Sequence, residues 1–172
     1  MAKNPLLAGA IHDLQARLGS IRIAVTAVAG LDLDEETRRE MLTSASEESV
    51  RASAELAGVS ALATCLLDDS PTEQCDVGAA LQAAADAARL AGLDIDVRAQ
   101  DPLVATVSAA RLAAVLPALL RLVGGAGSAV RATVTADGLT LSGDDTEPPA
   151  PVSRYLVEQL GGLISITLGA AQ

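Results

Sequence analysis

A chain of 172 residues holds one ordinary domain or two small ones, and half of its residues are hydrophobic, enough for a real core. It has no Phe or Trp and a single Tyr, Tyr155, so packing rests on Leu, Val, Ile and many Ala, which suits closely approaching helices better than an aromatic-lined pocket. The net charge of −10 is divided evenly, six basic and eleven acidic side chains in residues 1–70 and the same in 71–172, with Lys3 the only lysine; such a surface argues against nucleic acid and anionic membrane as partners.

Cys65 and Cys75 have no CxxC pairing and no nearby His, which makes them small buried fillers rather than metal ligands or redox partners. Two such thiols fit a reducing compartment. The start, MAKNPLLAGAIHDL, carries too short an apolar run for a signal peptide, and no stretch approaches about 18 uncharged apolar residues. A soluble, cytoplasmic protein is expected.

The first element, Asn4 to about Ala29, is the most regular. Leu7, Ile11, Leu14, Leu18, Ile21, Val25 and Val28 follow at alternating steps of four and three, the seam of a helix in a coiled-coil-like bundle. Asn4-Pro5 supplies a cap and first-turn proline, and Gly30 a stop. A short linker leads to a second helix that opens on Asp34, Glu35 and Glu36, acids that complement a helix N-terminus. Its seam, Leu42, Ala45, Ser49, Ala52, Leu56, Val59, Ala63 and Leu66, is half Ala and Ser. The short connection makes an antiparallel hairpin, and one hairpin cannot cover both seams, so two copies are expected to pair as a four-helix bundle.

Asp68 to Gln74 is polar and carries a proline, which places a boundary there: residues 1–69 form the hairpin and 70–172 a second domain. In that domain a helix is expected over Asp76–Leu90, strands at Leu93–Val97 and Val104–Val107, and a helix over Ala109–Val123 capped by Ser108 and kinked at Pro117. Ser128–Thr135 and Leu139–Ser142 read as a hairpin around Asp137-Gly138, followed by a helix at Val152–Leu160 and a last strand at Leu163–Leu168. The fold class is α+β: a helical hairpin in a dimeric bundle, then a small α/β sandwich.

Taken in order, these elements resemble the histidine kinase core, a dimerisation and phosphotransfer hairpin followed by a Bergerat-type ATP-binding domain. Ile11-His12-Asp13-Leu14, with Leu18 and Ile21 beyond, matches the phosphoacceptor helix of that family. Further matches are Glu35-Glu36-Thr-Arg-Arg-Glu, Asp76-Val77, and Tyr155-Leu-Val-Glu-Gln-Leu-Gly-Gly-Leu-Ile. Departures are equally informative. The family's proline five residues after the histidine is Arg17, and its Thr or Asn at the fourth position is Ala16. Where active kinases read roughly VLxNLLxNA, this chain has Ala118 and Leu122 in place of the asparagines, and neither offers an oxygen to a hard cation. The glycine box shrinks to Ser142-Gly143-Asp144-Asp145 and the lid to the Pro-rich Glu147–Pro151. The resemblance therefore implies a degenerate ATP-binding domain, and is closest in kind to the dimeric histidine phosphotransferases of phosphorelays.

What the resemblance implies for chemistry centres on His12, the phosphoacceptor. As the only histidine, following a seam residue, it is expected to face water or a docked protein. A neutral imidazole nitrogen attacks a phosphoaspartate, Asp13 orients the ring, and Arg17 neutralises passing charge. Response-regulator receiver domains are the expected partners, carrying their own Mg²⁺, while this chain binds no cofactor itself. Gln15, Ala16, Gly19, Ser20 and Ile23 share the His12 side of the helix and form the expected docking patch. Three other readings stay open: a kinase-like dimer that sequesters a regulator or kinase without catalysis, a kinase with an unconventional nucleotide site, and a structural dimerisation module.

Overall fold

The computed structural model describes residues 5–125, 129–143 and 151–160. Helix α1 spans Pro5–Gly30 and α2 spans Glu35–Leu67; between them the chain turns back in four residues, and the two helices pack side by side. Asp34 caps α2, accepting the Thr37 N–H at 2.8 Å, with Glu35 and Glu36 in the first turn where the helix dipole favours negative charge. The same bond holds the Asp34 carboxyl below its ordinary range.

After α2 come β1 (Glu73–Asp76), α3 (Val77–Leu90), β2 (Ile95–Ala99), β3 (Val104–Val107), α4 (Ala109–Gly124), β4 (Val130–Thr135), β5 (Gly138–Gly143) and α5 (Pro151–Gln159). The protein is α+β, as the periodicities predict. Strands β2, β4 and β5 form one sheet, β2 parallel to β4 with Ile95 opposite Val130, and β4 antiparallel to β5 with Thr135 opposite Gly138. Helix α4 makes the crossover between the parallel pair. β1 and β3 form a separate antiparallel pair. β1 falls at the edge of the expected linker, because Glu73-Gln-Cys-Asp has no apolar alternation to announce a strand. The last expected strand, Leu163–Leu168, and the Asn4 cap lie outside the described residues.

Caps account for the helix ends. Asp76 accepts the Ala79 N–H and Ser108 accepts the Arg111 N–H, starting α3 and α4. α3 stops at Gly92, whose φ of +90° is one that residues with a Cβ avoid, and Leu93 N–H closes back onto the Ala88 carbonyl. α4 runs through Pro117 as one continuous helix, so the expected kink does not divide it.

One core joins the halves. Val130, Ala132 and Val134 of β4 and Leu139 and Leu141 of β5 are buried, together with Leu112, Val115, Leu116, Leu119 and Leu120 of α4. Ala61, Leu62 and Cys65 of α2 belong to the same cluster, so the apolar packing runs across residues 69–70. Among the described residues α2 alone is long and apolar enough to cross a membrane by length and composition, and its C-terminal half packs into this core. Burial pushes the Cys65 thiol above its ordinary pKa.

Candidate phosphoacceptor helix and its surroundings

The structure sorts the residues of α1 differently from the expected seam. Leu7, Leu14, Ile21 and Val28 are half-buried, as expected. Between them, however, the inner positions are Ala10, Arg17 and Ala24, while Ile11, Leu18 and Val25 stay 41%, 52% and 50% exposed. α2 repeats the shift: Ala45, Ala52 and Val59 face inward, joined by Glu48 and Glu55, and Leu42 and Leu56 point out. Each helix thus has a hairpin seam and, one residue over, an uncovered apolar row.

Arg17 sits in the middle of the hairpin seam. Its Nε donates to Glu55 Oε1 at 2.7 Å and its Nη1 to Glu48 Oε2 at 2.9 Å, while Arg51 Nη1 reaches Glu48 Oε1 at 3.0 Å. Partial burial lowers the Arg17 pKa, but the bonds and charges of the two glutamates outweigh it and leave the group above its ordinary value. Burial likewise raises the Glu48 carboxyl, and the two arginines more than reverse this. The guanidinium expected to accompany the histidine is therefore committed to α2. Heptad-spaced Glu48 and Glu55 signalled this network, but a charged residue in a seam reads in sequence as an exposed one.

Five residues from Arg17, at about 100° per residue, His12 lies roughly 140° around the helix from it. With Arg17 turned into α2, His12 faces out, and it is exposed. Asp13 is exposed too, and adjacent helical residues do not face each other. The bonds found among described residues include none between them. Gln15, Ala16, Gly19 and Ile23 follow His12 at three, four, seven and eleven residues, so they share its face; Ile23 is 68% exposed, and nothing approaches within 4 Å of where a Gly19 Cβ would lie. Ser20 lies at the edge of the patch, its hydroxyl bonded to the Ala16 carbonyl.

The positions matching the kinase asparagines are packed. Ala118 is 2% exposed within the core, and Leu122 meets α2 at Gly58, where an added Cβ would stand 3.2 Å from Leu122 Cδ1 and 3.0 Å from Val152 Cγ1 of α5. At Gly143 an added Cβ would lie 2.6 Å from the Val123 carbonyl oxygen, so the end of α4 rests directly on the end of β5. These positions offer apolar surface and no oxygen ligand, a poor fit to a Mg²⁺-bound nucleotide. Asp144, Asp145 and the Pro-rich link up to residue 150 lie outside the described residues. Among the described residues no group of three or more His, Cys, Asp or Glu is gathered as a metal site would need.

A second polar cluster joins residues about 40 positions apart, which no local sequence pattern signals. Asp68, at the end of α2, accepts the Ser108 hydroxyl and Arg111 Nε at 3.1 Å, and Arg111 Nη2 donates to the Asp68 carbonyl at 2.8 Å. Ser108 also caps α4, so this clasp ties the end of the hairpin to the start of the central helix.

No protein-family model matches the chain, and no curated protein matches it. Among solved structures it is similar to the cytoplasmic segment of histidine kinase QseC, at 18% identity and a TM-score of 0.42 over 77% of this chain and 87% of that one.

Proposed function

We propose that the chain works in two-component signalling as a histidine-containing phosphotransferase, passing phosphoryl groups between response-regulator receiver domains in the cytoplasm without using ATP. The observation that carries this reading is the placement of His12: the only histidine in the sequence stands exposed on the outer side of a helix tied to α2 by Arg17's ion pairs with Glu48 and Glu55, beside open surface. The packed apolar residues at positions 118 and 122 favour a relay over a kinase.

In the proposed step a neutral imidazole nitrogen of His12 attacks the phosphorus of a receiver phosphoaspartate. The P–N bond forms as the acyl-phosphate P–O bond breaks, the aspartate leaves as carboxylate, and the second ring nitrogen gives its proton to water. A Mg²⁺ held by the receiver would supply charge neutralisation for the phosphoryl group. Asp13, exposed beside the histidine, supplies local negative charge, and Arg17 acts through helix orientation. Gln15, Ala16, Gly19, Ser20 and Ile23 form the receiver-facing patch.

The active species is a homodimer. Ile11, Leu18 and Val25, spaced by sevens, and Leu42 and Leu56 form the row that a second copy would cover in a four-helix bundle, leaving His12 outside it.

Receiver domains charged with a small-molecule phosphodonor and mixed with the protein and with His12→Ala provide the test. Acid-labile phosphoryl label on the wild type alone is the expected result. Complex formation with no label on either protein would replace the relay by a regulator-sequestering dimer.

A further inference from the structure

The hairpin seats its less apolar rows inward. On α1 the inner alternates are Ala10, Arg17 and Ala24, and the outer ones are Ile11, Leu18 and Val25, which would bury far more apolar surface. Both rows share Leu7, Leu14, Ile21 and Val28, so a turn of α1 by roughly half the 100° residue spacing exchanges one for the other. Alanines at 45 and 52 of α2 make no knob that would oppose such a turn. Within one hairpin, apolar packing between α1 and α2 therefore leaves the rotation undecided, or decides it the other way.

What opposes the turn is the ion network. Arg17 holds two carboxylates seven residues apart, at 2.7 and 2.9 Å, a fork that fits one rotation only. As a stabiliser the network is poor, since partly buried charges lose hydration, and among the described residues Arg51 Nε and Glu55 Oε2 lie buried without a hydrogen-bond partner. Polar groups in a helical seam are best attested as devices that select one register.

We propose that Arg17, Glu48 and Glu55 are the rotational key of the hairpin, choosing the inner row of α1 and thereby the direction in which His12 is presented. They are positioning residues, and their effect on transfer rests on the reading of His12 as phosphoacceptor. The key itself does not.

The test follows thiol labelling in the full-length protein, read site by site by mass spectrometry. A cysteine at half-buried Ala24 reports the rotation, and one at exposed Ala8 serves as control. In Arg17→Leu the helix content persists, labelling at 24 rises about tenfold as that row turns outward while labelling at 8 is unchanged, and phosphoryl transfer to His12 slows about tenfold. Inverting the whole cluster (Arg17→Glu, Glu48→Arg, Arg51→Glu, Glu55→Arg) restores the original labelling and rate. A folded Arg17→Leu protein with unchanged labelling at 24 overturns the proposal. Should Arg17→Leu unfold, the inverted cluster decides: slow labelling at 24 supports the key, and fast labelling overturns it. If the wild type never accepts a phosphoryl group, the labelling result still stands or falls by itself, and only the phosphotransfer reading is lost.

Discussion

Gly58 on α2 and Leu122 on α4 meet so closely that a single methyl at position 58 would press on the leucine at 3.2 Å and on Val152 of α5 at 3.0 Å. Three helices from both parts of the chain converge there, and the bare glycine is what lets α2 approach. Gly58→Val adds three carbons to a contact without room and should destabilise the protein by about 1–3 kcal/mol. Thermal unfolding followed by circular dichroism checks this; an unchanged midpoint would mean that α2 and α4 are loosely apposed.

The same convergence bears on nucleotide binding. An asparagine in place of Ala118 would put an amide where the side chain is 2% exposed and surrounded by aliphatic residues. An unpaired buried amide costs about 1–3 kcal/mol. Ala118→Asn should therefore lower the unfolding midpoint and bring no heat of binding on titration with Mg²⁺-ATP. A calorimetric signal, in the variant or the wild type, would reopen the kinase reading.

Leu18 lies at the centre of the uncovered row and Ile23 off it, although both are exposed, at 52% and 68%. A second copy packed on that row buries Leu18 and spares Ile23. Leu18→Glu should dissociate the dimer in sedimentation equilibrium and lower helix content, because the paired hairpins support each other. Ile23→Glu should stay dimeric and instead weaken receiver binding. Identical behaviour of the two variants would remove the proposed bundle.

Much of the architecture was legible in the residues. Periodicity located α1 and α2, composition and flanking caps or glycines located α3, α4 and α5, and the turn at Asp137-Gly138 announced the β4–β5 hairpin. The seams were not fully legible, since heptad counting rewards large apolar residues and so preferred Leu18 to Arg17 and Leu56 to Glu55. A charge enters a seam only when a complementary one lies opposite in space, here across 31 and 38 residues of chain. The Asp68–Ser108–Arg111 clasp was hidden for the same reason, spanning about 40 residues between a linker acid and a helix cap. His12 is exposed, as its place beside Ile11 predicts, although Ile11 itself lies outside the hairpin seam.

That clasp makes a pH-dependent prediction. The Asp68 carboxylate, 5% exposed, is held well below the usual carboxylate range, first by the Ser108 hydroxyl, then by Ser70 and by Arg111. It also lies at the N-terminus of α4, where the helix dipole favours negative charge. A carboxyl whose folded pKa is depressed binds protons more readily in the unfolded chain. Its contribution to stability is therefore complete above about pH 5 and is lost progressively as pH falls through about 4 toward the folded value. Asp68→Asn removes the contribution at every pH. The gap in urea midpoint between wild type and Asp68→Asn should thus be constant from pH 7 to 5 and narrow steadily below pH 4. Because Glu48 and Asp34 are also depressed, both proteins will lose stability in acid, and the difference between them isolates Asp68. A gap that persists undiminished at pH 3 would mean that the carboxylate's charge contributes nothing, and that the neutral carboxyl holds Ser108 and Arg111 through hydrogen bonds an amide does not reproduce.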